Sequence, residues 1–175
     1  YVIDNISPPG NIKKQESIDK WYEEKLEVAV QRELEKTSFD GALGHIIAIG
    51  YAIDDEEPQC FYAKTPDKEA EAIQGFFDVT YNLSYPTIVG HNVTAFDMRM
   101  IRQRAIVNGV KIPSNLPWDA KPWDKNPFDT MTQWDSRNSI KLDTLARAFG
   151  IEGKQGIDGS KVYDYWLAGR HNEII

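Results

Sequence analysis

The 175-residue chain has a single cysteine, Cys60. That excludes an internal disulfide framework and points to a reducing compartment, with the cytoplasm as the default. No apolar run approaches the roughly 20 residues that span a bilayer. The start, Tyr-Val-Ile-Asp-Asn-Ile-Ser-Pro-Pro, has no basic segment followed by an apolar one, so a secreted route is not expected. Only three histidines occur, His45, His91 and His171, and their spacing matches no zinc site. A phosphate loop, a dinucleotide fingerprint and a Gly-x-Ser-x-Gly elbow are all missing, which argues against nucleotide-dependent chemistry and serine hydrolysis. Excess positive charge is missing too. The net charge of −7 excludes binding to nucleic acid mainly through a broad basic face. It leaves room for a carboxylate cluster, whose bound cations would meet the phosphate instead.

What the chain does contain is globular. It is 41% hydrophobic, with 12 glycines and 9 prolines dispersed as punctuation, and its length fits one domain. There is no internal repeat. Residues 16–36 carry Ile18, Trp21, Tyr22, Leu26, Val30 and Leu34 at mostly helical spacing. Residues 45–54 are a nearly continuous apolar, β-branched run, the pattern of a central strand covered on both faces. The Asp-Asp-Glu-Glu-Pro turn at 54–58 leads to a partner strand at 59–64. A sheet begun there needs another neighbour, and only Tyr1-Val2-Ile3 precedes the Pro-Pro loop.

Asp67 opens a predicted helix running to about Leu83. Residues 87–90 form a short buried strand. Thr94 is placed to cap a helix over about 95–108, ended by Asn108-Gly109. Residues 111–127 read as a long ordered loop that Trp118 and Trp123 pin to the core. A short strand at 128–131, a helix at 140–149, a Gly-rich turn and a helix near 160–168 follow. Asn172 is placed to begin one more helix, of which Ile175 leaves about one turn; an isolated turn is unstable, so more chain is expected beyond it.

The chemistry concentrates in Ile88-Val89-Gly90-His91-Asn92-Val93-Thr94-Ala95-Phe96-Asp97. A buried strand runs into Gly-His-Asn, and a helix then carries Asp97 in its first turn. Sites of α/β proteins gather at the carboxyl ends of strands, and a first-turn carboxylate is favoured by the helix dipole. Phe96 is placed to stack on a base. His91 reads equally as a substrate contact or as a satisfied structural histidine. Asp129 is open between lining the site and holding structure. Asp143 reads as a solvated or capping charge, and Lys13-Lys14 as a solvated pair.

The spacing Asn-x-x-x-Phe-Asp at 92–97 resembles the second exonuclease motif of the DEDD superfamily, the proofreading-type 3′–5′ exonucleases. The chain looks more closely like the bacterial and phage group of family-B-polymerase-like 3′–5′ exonucleases. The matching stretches are 8–14, 37–44, 47–54, 92–97, 141–150 and 157–162. This likeness implies an α/β fold of the RNase H-like type, a mixed β-sheet flanked by helices.

It further implies a metal-dependent exonuclease taking nucleotides from 3′ ends, with single-stranded DNA as the expected substrate. Two Mg²⁺ or Mn²⁺ ions roughly 4 Å apart would span the scissile phosphate. Asp97 would be a catalytic, metal-binding carboxylate; His91, Asn92 and Phe96 would hold the terminal nucleotide. The family's first motif, Asp-x-Glu, is not matched: Asp4 is followed by Asn5 and Ile6. Its third motif, Tyr-x-x-x-Asp or His-x-x-x-x-Asp, is not found either. One of the four expected carboxylates is therefore visible, and residues 1–175 alone are expected to bind metal weakly and cleave little. The competing reading is a non-catalytic RNase H-like module that binds single strands or a protein partner; a weaker one is an unrelated α/β binding protein.

Overall fold

A computed structural model describes residue 4 and residues 6–121, 123–153 and 159–175. The expected neighbouring strand Tyr1–Ile3, Pro122 of the long loop, and residues 154–158 of the Gly-rich turn lie outside the described residues. The chain divides into two compact units, residues 1–44 and 45–175.

The first unit is built on helix α1, Gln15–Lys36, followed by a 3₁₀ turn at Thr37–Phe39. Its apolar residues recur at helical spacing, yet none of the helix is buried. A hydrogen bond from Gln15 Nε2 to Asp19 Oδ1 (2.7 Å) and one from Lys36 Nζ to Glu33 (2.5 Å) line its surface. Such exposed pairs each add only about 0.3–0.5 kcal/mol.

The second unit holds the core. Strands β1 (Ala48–Tyr51) and β2 (Gln59–Tyr62) form an antiparallel hairpin, with Ile49 opposite Phe61. The run at 45–54 was expected to be a central strand covered on both faces. Among the described residues it has one partner, and only four of its residues pair. Ile49 is buried on one side while Gly50 is exposed on the other. An apolar run marks burial, but pairing needs a second ladder of donors and acceptors.

Helix α2, Glu69–Tyr81, packs on this hairpin after a 3₁₀ turn at Pro66–Lys68. Its buried face is Ala72, Ile73, Phe76, Phe77 and Thr80, one stripe of a 3.6-residue helix. Ile73 and Phe77 are wholly enclosed; burying each side chain contributes about 1.5–3 kcal/mol. Gly75 is required here. A Cβ at that position would lie 2.5 Å from the Phe61 ring.

Strands β3 (Val89–Gly90) and β4 (Phe128–Asp129) pair in parallel, with Val89 opposite Phe128 and Gly90 opposite Asp129. Between them run helix α3 (Asp97–Val107) and the long loop. Asn126 extends the pairing beyond the strands. Its Oδ1 accepts from Ile88 N (3.0 Å) and its Nδ2 donates to the Pro86 carbonyl (3.1 Å). Trp118 pins the loop as expected: Nε1–H donates to the Pro113 carbonyl (2.5 Å), and the ring meets Phe77 edge-on. Trp123 does not, being 77% exposed.

Helices α4 (Thr130–Trp134), α5 (Leu142–Ala148) and α6 (Val162–Leu167) follow, and a 3₁₀ turn spans His171–Glu173. The strand expected at 128–131 ends after two residues because Asp129 caps α4. The architecture is mixed α/β, with helices around small sheets. One mixed sheet was expected; the described residues form two separate two-stranded sheets.

A buried ion pair fastens α2 to α3. Glu69 and Arg104 are 2% and 8% exposed. Glu69 accepts from Arg104 Nε (2.8 Å) and Nη2 (2.6 Å), from Asn108 Nδ2 (2.9 Å) and from Ile46 N (2.7 Å). Burial pushes the Glu69 pKa up, but the Arg104, Ile46 and Asn108 hydrogen bonds outweigh it and hold it below its ordinary value. Gly109, at φ +66°, ends α3, as the sequence predicts. Its N–H donates to Ile106 O, and Val110 N reaches Ala105 O.

Candidate active site

The site forms where the two parallel strands end. Phe128 N donates to Ile88 O (2.7 Å), which sets the register and brings Gly90 beside Asp129. Both strands then turn into helices, so two carboxylate-bearing segments leave the same end of one small sheet. Gly90 is needed because a Cβ there would sit 2.7 Å from Val93 Cβ. The chain folds back so tightly because Asn92 adopts a left-handed conformation, φ +59°. Asparagine tolerates that region better than other side chains with a Cβ. Phe96 N then donates to Asn92 O (3.0 Å) and Met98 N to Val93 O (2.9 Å).

Thr94 was expected to cap α3. It does not: the position before the helix is Phe96, without a side-chain cap. The N–H of Phe96, which a Thr94 cap would serve, is already taken by Asn92 O, and Thr94 is itself tied through its backbone to Asp129. Asn92 N donates to Asp129 Oδ1 (2.8 Å), Thr94 N to its Oδ2 (3.1 Å), and Met131 N to its Oδ1 (3.1 Å). Asp129 is 2% exposed. The sequence left it open between lining the site and holding structure; here its carboxylate accepts three backbone N–H groups. The one available signal was its place at a strand end.

His91 is anchored at both ring nitrogens. Nε2 lies 2.8 Å from the Ile140 carbonyl, which only accepts, so Nε2 carries the proton. Nδ1 lies 2.9 Å from Thr130 Oγ1. The same hydroxyl reaches Gly90 O at 3.2 Å, and its single proton serves one of these acceptors at a time. The Asn92 side-chain amide makes no hydrogen bond among the described residues. Phe96 is half-buried against the core.

Asp97 stands in the first turn of α3 and presents surface to solvent. Protein nonetheless surrounds enough of its carboxyl to strip part of its hydration. That loss pushes its pKa above the ordinary value; its own backbone N–H pulls it back, and the Asp129 charge pushes it up again. The helix below is fixed by Met98, Ile101 and Ala105, all buried. The structure thus brings His91, Asn92, Phe96, Asp97 and Asp129 together. Asp143 pairs with Arg147 at 3.1 Å. An open hollow of about 630 Å³ between Arg102 and the loop, lined by Ile112, Leu116, Trp118 and Asn126 among others, does not include Asp97.

A hard divalent cation takes oxygen ligands. Asp97 offers carboxylate oxygens to solvent; those of Asp129 already accept three backbone N–H groups. Among the described residues, no three His, Cys, Asp or Glu side chains gather as a cation cage. The described residues therefore fit a divalent cation only in part.

Fold and site define an α/β protein with an acidic site at the carboxyl ends of a parallel strand pair. Residues 40–175 match the family described as a predicted 3′–5′ exonuclease related to the exonuclease domain of PolB, and the chain belongs to that family. No curated protein and no solved structure matches it.

Proposed function

We propose that the protein is a metal-dependent 3′–5′ exonuclease of RNase H-like type, with single-stranded DNA as its substrate. The observation that carries this is an open carboxylate, Asp97, leaving the end of the parallel pair within the family-matched region. Asp97 supplies oxygen ligands to a divalent cation, Mg²⁺ or Mn²⁺. A cation held by Asp97 would supply an activated water and charge stabilisation for the leaving 3′ oxygen.

The chain's own residues orient the strand end. The Asn92 amide is free to bond a base or sugar. Phe96, half-buried and next to Asp97 in the chain, is placed to meet the terminal base. His91, with both ring nitrogens engaged, offers only its ring face and mainly holds the loop.

The test is release of a 3′-terminal label from single- and double-stranded oligonucleotides by the complete gene product, with Mg²⁺ and with EDTA. Mg²⁺-dependent release, faster on single strands, is the expected result. No release on any strand with Mg²⁺ or Mn²⁺ would favour a non-catalytic module.

A further inference from the structure

We propose that Asp129 is a positioning residue, not a cation ligand: its buried carboxylate clamps the backbone of residues 92–94 and thereby sets where Asn92, Phe96 and Asp97 stand. The proposal rests on the nuclease reading of Asp97 and adds a residue that acts through it.

Three backbone N–H groups converge on this one side chain, from Asn92, Thr94 and Met131, at 2.8–3.1 Å. Two of them belong to the β3–α3 connection and one to α4, so the carboxylate ties together the two segments that leave the sheet. Hydrogen bonds to an ionised acceptor are about twice as strong as neutral ones. At 2% exposure they face little competition from water. A cation reaching Asp129 would have to displace these donors from a buried position. Asn92, at φ +59°, is held by one of these ties, its N–H to Asp129, and by a separate bond from Phe96 N to its carbonyl. An unfavourable backbone conformation persists where surroundings over-determine it. The Thr130–His91 contact supports the same turn from the other side. Phe96 and Asp97 follow within one turn, so a slackened clamp moves the carboxylate without touching it.

Asp129→Asn separates the roles. It keeps a carbonyl oxygen for one pair of donors, turns an NH₂ toward the third, and removes the charge. Asn115→Ala is the control for plain destabilisation. Asn115 bonds the Thr80 and Leu83 carbonyls at the end of α2, away from the site residues. Both variants of the complete gene product are assayed at temperatures giving wild-type folded fractions.

Asp129→Asn is expected to lose amide-exchange protection at Asn92, Thr94 and Met131. Its cleavage at saturating substrate is expected to slow tenfold or more per folded molecule, with KM changed less than kcat. Asn115→Ala should cleave at the wild-type rate per folded molecule. Equal slowing of both variants, or unchanged protection at the three amides, overturns the proposal. So does weakened Mn²⁺ binding by Asp129→Asn with protection intact, which would make Asp129 a ligand. If the wild-type protein does not cleave at all, the nuclease reading fails by itself, and the amide protection alone then decides the clamp.

Discussion

Replacing Glu69 with alanine removes the carboxylate that joins α2, α3 and the start of the β1 segment. Four hydrogen bonds end on it, two from the Arg104 guanidinium, which is 8% exposed as a residue. The variant leaves that cation enclosed without its carboxylate, and leaves Ile46 N without its acceptor. Breaking a buried pair from one side costs about 3–5 kcal/mol. At ~2–4 °C per kcal/mol for a domain of this size, Tm falls by roughly 6–20 °C.

The acid limb moves as well. The folded pKa of Glu69 lies below its ordinary value of 4.5, so its stabilisation is present above that pH and fades as pH falls through the folded pKa. Glu69→Ala therefore loses most at neutral pH and converges on wild type in acid. Urea melts monitored by circular dichroism at several pH values measure this directly. Replacing both partners with apolar residues of similar size should cost far less than the single change. A single-variant loss under about 1 kcal/mol at pH 7 would refute the reasoning.

Other consequences follow from single residues. Asn92→Gly should keep stability within about 1 kcal/mol of wild type, because glycine adopts φ +59° freely, while Asn92→Ala should lose about 1 kcal/mol. If the amide holds the strand end, Asn92→Gly also weakens oligonucleotide binding in EDTA at unchanged Tm; glycine destabilising more than alanine would contradict the turn geometry. Among the described residues His45 has a buried Nε2 without a partner, and burial holds its pKa below 6.5, with Glu69 opposing and Arg104 assisting. As pH falls past 6.5 the unfolded chain protonates first, so stability declines. His45→Phe preserves an aromatic ring beside Trp166 and should flatten the stability profile between pH 7 and 5; an unchanged slope would show that His45 is not its source.

Local signals in the sequence were reliable and distant ones were not. Helix α1, helix α2 and the Gly109 stop depend on neighbours within a turn or two, and all were legible. Asp97 and Asn92 were legible through their spacing within six residues. The extent of β1 was overread, since its pairing depends on a partner and not on its own β-branched residues. Thr94 looked like a cap, but the Asn92 carbonyl takes the Phe96 N–H and Thr94 is drawn by its own backbone to Asp129, 35 residues away. The Glu69–Arg104 pair was invisible because it joins residues 35 apart, and Asp129 showed only its place at a strand end. Each exists only once the chain has closed over a long separation, and any acidic residue reads alike before that.

The central claim is that Asp97 serves cleavage at the end of a strand. The most direct measurement is the product ladder from a 5′-labelled single-stranded oligodeoxynucleotide with Mg²⁺, comparing the complete wild-type product with Asp97→Asn. Single-nucleotide shortening from the 3′ end by wild type, lost by at least a hundredfold in a variant of unchanged Tm, is the predicted result. Equal ladders from both proteins would contradict the account.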